Sequence, residues 1–125
     1  MTTKKIKRIG IISKDAYIKR TIAIAKGKYK PTKNEPSIWF ESLNSLAQVL
    51  SADNQHLLQL ILEQEPQSLL ELEKISHRKK SNLSRTLKTL ESYGVVQLDK
   101  KEGKLVPKVL VTDFQIEFGL HNTMA

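Results

Sequence analysis

Between residues 81 and 92 the apolar positions are Leu83, Leu87 and Leu90. At the helical advance of about 100° per residue, Leu87 lies roughly 40° and Leu90 roughly −20° from Leu83, whereas Ser81, Arg85, Lys88 and Ser92 fall between roughly 140° and 200°. The spacing predicts a helix within 77–94 with one apolar edge and one polar, cationic edge. Gly94 is placed to end it in a left-handed conformation, and Val95-Val96 begin an extended run. Upstream, Ser68-Leu69-Leu70-Glu71 has the form of a capping box opening a short helix to about Ser76, with Leu69, Leu72 and Ile75 inward. Two further helices precede it. Ser42 caps one with the stripe Leu43, Leu46, Ala47 and Leu50; Ser51 caps another with Asn54, Leu57, Leu58, Ile61 and Leu62 inward, Leu60 at the margin and Pro66 as its stop. After Gly94, the runs 95–99 and 105–111 flank Lys100-Lys101-Glu102-Gly103-Lys104 and read as a hairpin, with Pro107 marking an edge or a bulge.

The flanks are less regular. Ile9-Gly10-Ile11-Ile12 is either a short strand or an ordered arm, because so brief a run has no decisive period. Ser13 then caps a helix over 14–26 in which Tyr17, Ile18, Ile22 and Ala25 recur at helical spacing. Its other side carries Lys19, Arg20 and Lys26, which either bind a polyanion or partner or are simply solvated. Residues 28–36 contain two prolines and no apolar period, so they read as a linker, and Trp39 beside Ile38 and Phe40 reads as an anchor packing that linker onto the core. Phe114, Ile116 and Phe118 alternate with Gln115 and Glu117 as a last strand with one apolar side. The organisation expected is a basic N-terminal extension over 1–36 with a short helix, a domain over 37–118, and a frayed tail over 119–125.

Charge sharpens this division. Residues 1–34 hold eleven Lys/Arg and one acid, 35–77 one and seven, and 78–125 nine and five, for a net +8. The acidic middle reads as scaffold and the basic ends as surfaces for a polyanion or an acidic partner. The first dozen residues are expected to be loose through self-repulsion unless a partner neutralises them. No cysteine is available for a disulfide or a thiolate metal site. No apolar run approaches the length of about 18 residues that a membrane span needs, and no cleavable secretory signal is visible, so a cytoplasmic protein with no membrane partner is expected. His56, His77 and His121 lack ligand spacing, and no phosphate loop, nucleotide fingerprint or nucleophile elbow occurs. No metal, cofactor or catalytic site is expected, and the chain does not read as an enzyme.

Helix, tight corner, basic helix, glycine and hairpin is the order of a winged helix-turn-helix, whose second helix enters the major groove. The fold class expected is therefore α+β, mainly α, with a β-hairpin wing and the basic helical extension. In this arrangement Asn82 and Arg85 read base edges, adenine and guanine being the usual partners of those side chains, with Ser81 and Ser84 near phosphate or base. Lys79, Lys80 and Lys88 hold phosphates, and Lys100, Lys101 and Lys104 set the wing beside the backbone or minor groove.

The run Ser81-Asn82-Leu83-Ser84-Arg85-Thr86-Leu87-Lys88-Thr89-Leu90-Glu91-Ser92-Tyr93-Gly94-Val95-Val96 closely resembles the MarR-like winged-helix group of predicted transcriptional regulators. The resemblance extends over residues 15–118, through Arg20–Gly27, Trp39-Phe40, Ser42-Leu43 and Leu50-Ser51, and is most specific at Asn82–Leu87. It implies a sequence-specific regulator of double-stranded DNA, a repressor working as a homodimer, of a kind often encoded as an antitoxin beside a small toxin gene. A cognate toxin is then a candidate partner. The chain departs from the pattern at His77, where relatives commonly have Gly at the corner, and at Glu73, where they have a small residue. The rival reading is a winged-helix protein-interaction module whose basic arm binds an acidic protein; salt-sensitive DNA binding separates the two.

Overall fold

The computed structural model describes residues 4–120. Its elements run β1 (Ile6–Ile11), α1 (Lys14–Ala25), β2 (Ile38–Phe40), α2 (Leu43–Val49), α3 (Ala52–Gln64), α4 (Leu69–Ser76), α5 (Lys80–Ser92), β3 (Val96–Lys101), β4 (Lys104–Val109) and β5 (Asp113–Glu117). The fold is α+β, as expected.

The apolar stripes set the helical core. Leu83, Leu87 and Leu90 of α5 are fully buried with Leu57, Leu58 and Ile61 of α3, Leu72 of α4, and Val95, Val96 and Val109 around the hairpin. Each helix begins where a side chain can satisfy its first backbone donors. Ser42 Oγ accepts from Ser45 N at 3.0 Å, Ser51 Oγ from Asn54 N at 3.3 Å and Ser68 Oγ from Glu71 N at 3.1 Å. The capping box at Ser68 is reciprocal by one residue's offset, since the Glu71 carboxylate accepts from Gln67 N rather than from the cap itself. The helix predicted within 77–94 starts at Lys80. Residues 77–79 form instead the corner out of α4, with His77 at φ 59°.

The hairpin is two-stranded, with Lys101 opposite Lys104 and Leu98 opposite Pro107. Pro107 costs no ladder bond there, because hydrogen-bonded pairs alternate from Lys101–Lys104 through Asp99–Val106 to Gln97–Lys108, which leaves Leu98–Pro107 a non-hydrogen-bonded pair. Glu102 (φ 50°) and Gly103 (φ 77°) make the two-residue connection, and left-handed φ at both positions matches a right-twisted hairpin.

The sheet formed by β1, β2 and β5 is where the structure departs most from the sequence reading. β1 lies in the middle and runs parallel to both neighbours, with Ile9 opposite Ile38 on one side and Ile116 on the other. Of the two readings of this run the strand holds, but residues 6–11 are neither loose nor an extension of the domain: they are the centre strand of a sheet that joins residues 38–40 to 113–117. The expected boundary after residue 36 falls inside a β1–α1–β2 crossover. Trp39, expected as an anchor, belongs to a strand. Of the expected tail, Gly119 and Leu120 are irregular, and residues 121–125 lie outside the described residues.

One face of this sheet, through Ile9, Ile38 and Phe40, packs with Leu46 and Val111. The two apolar clusters share Val49, Leu50, Tyr93 and Phe114 at their margins, and Phe40 stacks on Tyr93 with centroids 4.2 Å apart. The opposite face receives α1, though not by the edge that periodicity suggested. Ala16 and Arg20 point inward, while Tyr17, Ile18 and Ile22 are each a little under half exposed. Arg20 wins the interior position because its charge is met there. Its guanidinium donates to Glu35 at 2.9 Å and lies over the rings of Trp39 (5.0 Å) and Tyr29 (5.8 Å). It is thus lost as a polyanion-facing cation.

Gly10 makes this close packing possible. A Cβ there would lie 2.7 Å from Trp39 Cε3 and 2.8 Å from Pro36 Cγ. Gly10→Ala is expected to lower stability by about 1–3 kcal/mol through overpacking. An unchanged denaturation midpoint at unchanged slope would contradict this account of the crossover.

Candidate nucleic-acid interface

With its leucine edge in the core, α5 must turn the opposite edge outward. Ser81, Arg85, Lys88 and Ser92 are exposed along it, joined by Lys79, Lys80 and Asn82, with Ser84 half-buried at the side. Lys100, Lys101 and Lys104 are exposed on the hairpin. Among the described residues the ion pairs are Arg8–Glu117 and Arg20–Glu35, so these seven cations stand outside them. A row of unneutralised cations on a rigid helix is suited to phosphate oxygens, with the intervening hydroxyls as hydrogen-bonding groups.

Two residues not singled out as site residues by sequence hold this helix in place. Lys79 occupies the N-cap position of α5, and lysine has no oxygen with which to cap. The Glu73 carboxylate serves instead, accepting from Lys80 N at 2.8 Å. A negative charge at a helix N-terminus is favourable in itself. Glu73 is one of the two departures from the resembled pattern, so that departure has a structural purpose.

Arg78 is the second. From the corner its Nε donates to Asn82 Oδ1 at 2.8 Å, one terminal nitrogen to Thr86 Oγ1 at 3.0 Å and the other to Asn54 Oδ1 at 3.3 Å. Asn54 Nδ2 in turn donates to the Val49 carbonyl at 3.0 Å. One guanidinium thus ties α3, the corner and two successive turns of α5. The signal was available in part, since Arg78, Asn82 and Thr86 are spaced by four. The third anchor, Asn54, lies 24 residues upstream, beyond any local pattern.

This network changes the expectation for Asn82. Its Oδ1, the acceptor needed for bidentate adenine contact, is already engaged by Arg78, whereas its Nδ2 remains free to donate. Arg85 is not so engaged. At the far end of α5, the Glu91 carboxylate accepts from Leu98 N at 3.2 Å, fixing the hairpin to the helix that precedes it.

A family model, HVO_A0114, matches residues 49–116, more than half of the chain. The chain belongs to the HVO_A0114 family. The HVO_A0114 segment opens at the last residue of α2 and closes in β5, so it takes in α3, α4, α5, the hairpin and the Glu73 and Arg78 contacts. It leaves β1, α1 and β2 outside, although β1 pairs with β5 across its boundary. No curated protein and no solved structure matches the chain. Among the described residues, no helix is long and apolar enough to cross a membrane and no group of His, Asp or Glu is arranged to hold a metal ion.

Arg78→Met, which keeps the aliphatic stem and removes all three donors, is expected to cost about 1–3 kcal/mol, because Asn54, Asn82 and Thr86 lose their common partner. Arg78→Lys should not restore the loss, since a compact ammonium cannot span three acceptors on two helices. Equilibrium urea denaturation of both variants measures this. Full rescue by lysine would show that charge, not the guanidinium fork, is what matters at the corner.

Proposed function

We propose that this protein is a sequence-specific regulator of double-stranded DNA of the MarR-like winged helix-turn-helix type, with α5 as recognition helix and the β3–β4 hairpin as wing. The observation that carries the reading is the complete burial of Leu83, Leu87 and Leu90 against an opposite edge of exposed Ser81, Arg85 and Lys88. Such an edge, held at its start by Glu73 and Arg78, offers a preorganised surface of the width that a major groove admits.

Roles follow from how each side chain is held. Arg85 reads a base edge, guanine being the usual partner of a guanidinium. Asn82 contributes its free amide hydrogens rather than a bidentate contact. Ser81 and Ser84 lie near phosphate or base, and Lys79, Lys80 and Lys88 bind phosphates. Lys100, Lys101 and Lys104 carry the wing's contact with the backbone or minor groove. The mechanism is steric repression: a homodimer occupies a two-fold operator whose half-sites are about one helical turn, 34–36 Å, apart.

The test begins with DNA selected from a random pool by the wild-type protein. Binding should weaken steeply with salt, by about 0.9 log unit per decade of salt for each phosphate contact. Arg85→Ala is expected to lose discrimination at one base pair of the half-site, worth about 1–3 kcal/mol. Lys101→Ala should weaken all sequences alike and reduce the salt slope by about one. If Arg85→Ala discriminates among operator variants as well as wild type, α5 is not the reading element; if wild type shows no salt-dependent binding, the DNA reading fails altogether.

A further inference from the structure

β5 is an edge strand with one side covered and the other open. Its inner side pairs with β1, where Asp113 N donates to the Lys5 carbonyl at 3.0 Å. In a parallel ladder alternate residues turn both backbone groups to the same neighbour, so Asp113, Gln115 and Glu117 face β1. The N–H and C=O groups of Phe114 and Ile116 therefore point outward, and Phe118 continues their alternation. The side chains of Phe114 and Ile116 lie on the sheet face shared with Ile9 and Phe40. There Phe114 and Ile116 line a groove of about 450 Å³ with Leu43, Leu46, Leu58 and Leu62. Ile116 is 51% and Phe118 55% exposed. An open edge beside an apolar groove is a pairing surface.

We infer that a second copy of this chain pairs across that edge, antiparallel, with its two-fold axis at Ile116. The occupant follows from β5 itself. A two-fold axis perpendicular to the sheet must pass midway between a residue and its own copy, because opposite residues share a face, and the candidates differ in what they oppose. Centring on Gln115 would set Asp113 against Glu117 twice, and centring on Glu117 would set two glutamates face to face; like charges directly opposite are destabilising. Centring on Phe114 would set Ile116 against Thr112, at the strand's beginning. Centring on Ile116 sets Ile116 against Ile116, Phe114 against Phe118 and Gln115 against Glu117. It also makes Ile116 and the Phe114–Phe118 pairs the hydrogen-bonded ones, as their outward backbone groups require. Phe118 of the second copy then stands opposite Phe114, at the wall of the groove. The product is a continuous six-stranded sheet, β2-β1-β5 followed by its two-fold image.

This assignment rests on the two-copy arrangement of the proposed function but not on DNA, and cross-linking separates them. The chain contains no cysteine, so single-cysteine variants report one contact each. Hydrogen-bonded antiparallel pairs have Cα atoms about 5.5 Å apart, within disulfide range. Under a mild oxidant, and again with a short bis-maleimide, Ile116→Cys should link to itself in most of the protein. Phe114→Cys should link poorly alone and well when mixed with Phe118→Cys. Tyr17→Cys, on the exposed side of α1, sets the collisional background. Wild type should sediment as a dimer at micromolar concentration, and Ile116→Lys as a monomer with its circular dichroism spectrum retained. The inference is overturned by a monomeric wild type, by Ile116→Cys linking no faster than Tyr17→Cys, or by Phe114→Cys preferring itself to Phe118→Cys. A dimer that binds DNA but fails the linking test keeps the DNA reading and rejects this edge.

Discussion

The complete burial of one edge of α5 is the constraint from which the surface follows. A helix has fixed angular spacing, so once Leu83, Leu87 and Leu90 are packed among Leu57, Leu72 and Val96 the direction of every other side chain on it is settled. Arg85 and Lys88 are outward because the leucines are inward. The core thus specifies the exposed edge, and a substitution that rotated the leucine edge would reorient the cations without touching them. Each leucine truncated to alanine would leave a cavity at a cost of about 2–5 kcal/mol, a large part of a small domain's stability.

Polar contacts set the pitch of that helix where apolar packing leaves it free. Glu73 holds its first turn from α4, Arg78 holds two turns from the corner and Glu91 holds its last turn to the hairpin. These are directional groups spaced along the whole length of the helix. Burial alone would tolerate a small slide along the axis; the hydrogen bonds do not. The left-handed His77 that begins this corner is a conformation that non-glycine residues adopt at some cost, and the neighbouring network supplies the contacts that hold it.

The helices and the hairpin were legible in the sequence because their signals are local. Serine caps, the leucine stripes of α3 and α5, Pro66 and the Glu102-Gly103 turn each act within a few residues and stand where expected, whereas of the α2 stripe Leu46 is buried and Leu43 and Ala47 are exposed. The parallel sheet was not legible, because its pairing joins residues 6–11 with 38–40 and 113–117, and a central strand only six residues long has no period to reveal its neighbours. Alternation in 114–118 did announce a strand, but not its partner. The face of α1 was misread for a different reason. Periodicity ranks arginine as outward, and nothing local says that Glu35, Trp39 and Tyr29 converge on Arg20. The contact that Asn82 makes with Arg78 was not foreseen either, since Arg78 is also held through Asn54, 24 residues upstream.

The central place of β1 has a consequence for how the chain comes to be folded. During synthesis β1 is made before β5 and is separated from it by all five helices and the hairpin, so the sheet is incomplete until β5 has followed them. The α3–α5 and hairpin core, by contrast, closes over contacts among residues 52–109. Loop-closure entropy makes the long-range parallel pairing the slower event. Until β5 arrives, β1 carries an open edge and Ile9 lacks part of its cover. The interval between its synthesis and its completion is thus the time when this protein is most exposed to association with the wrong strand.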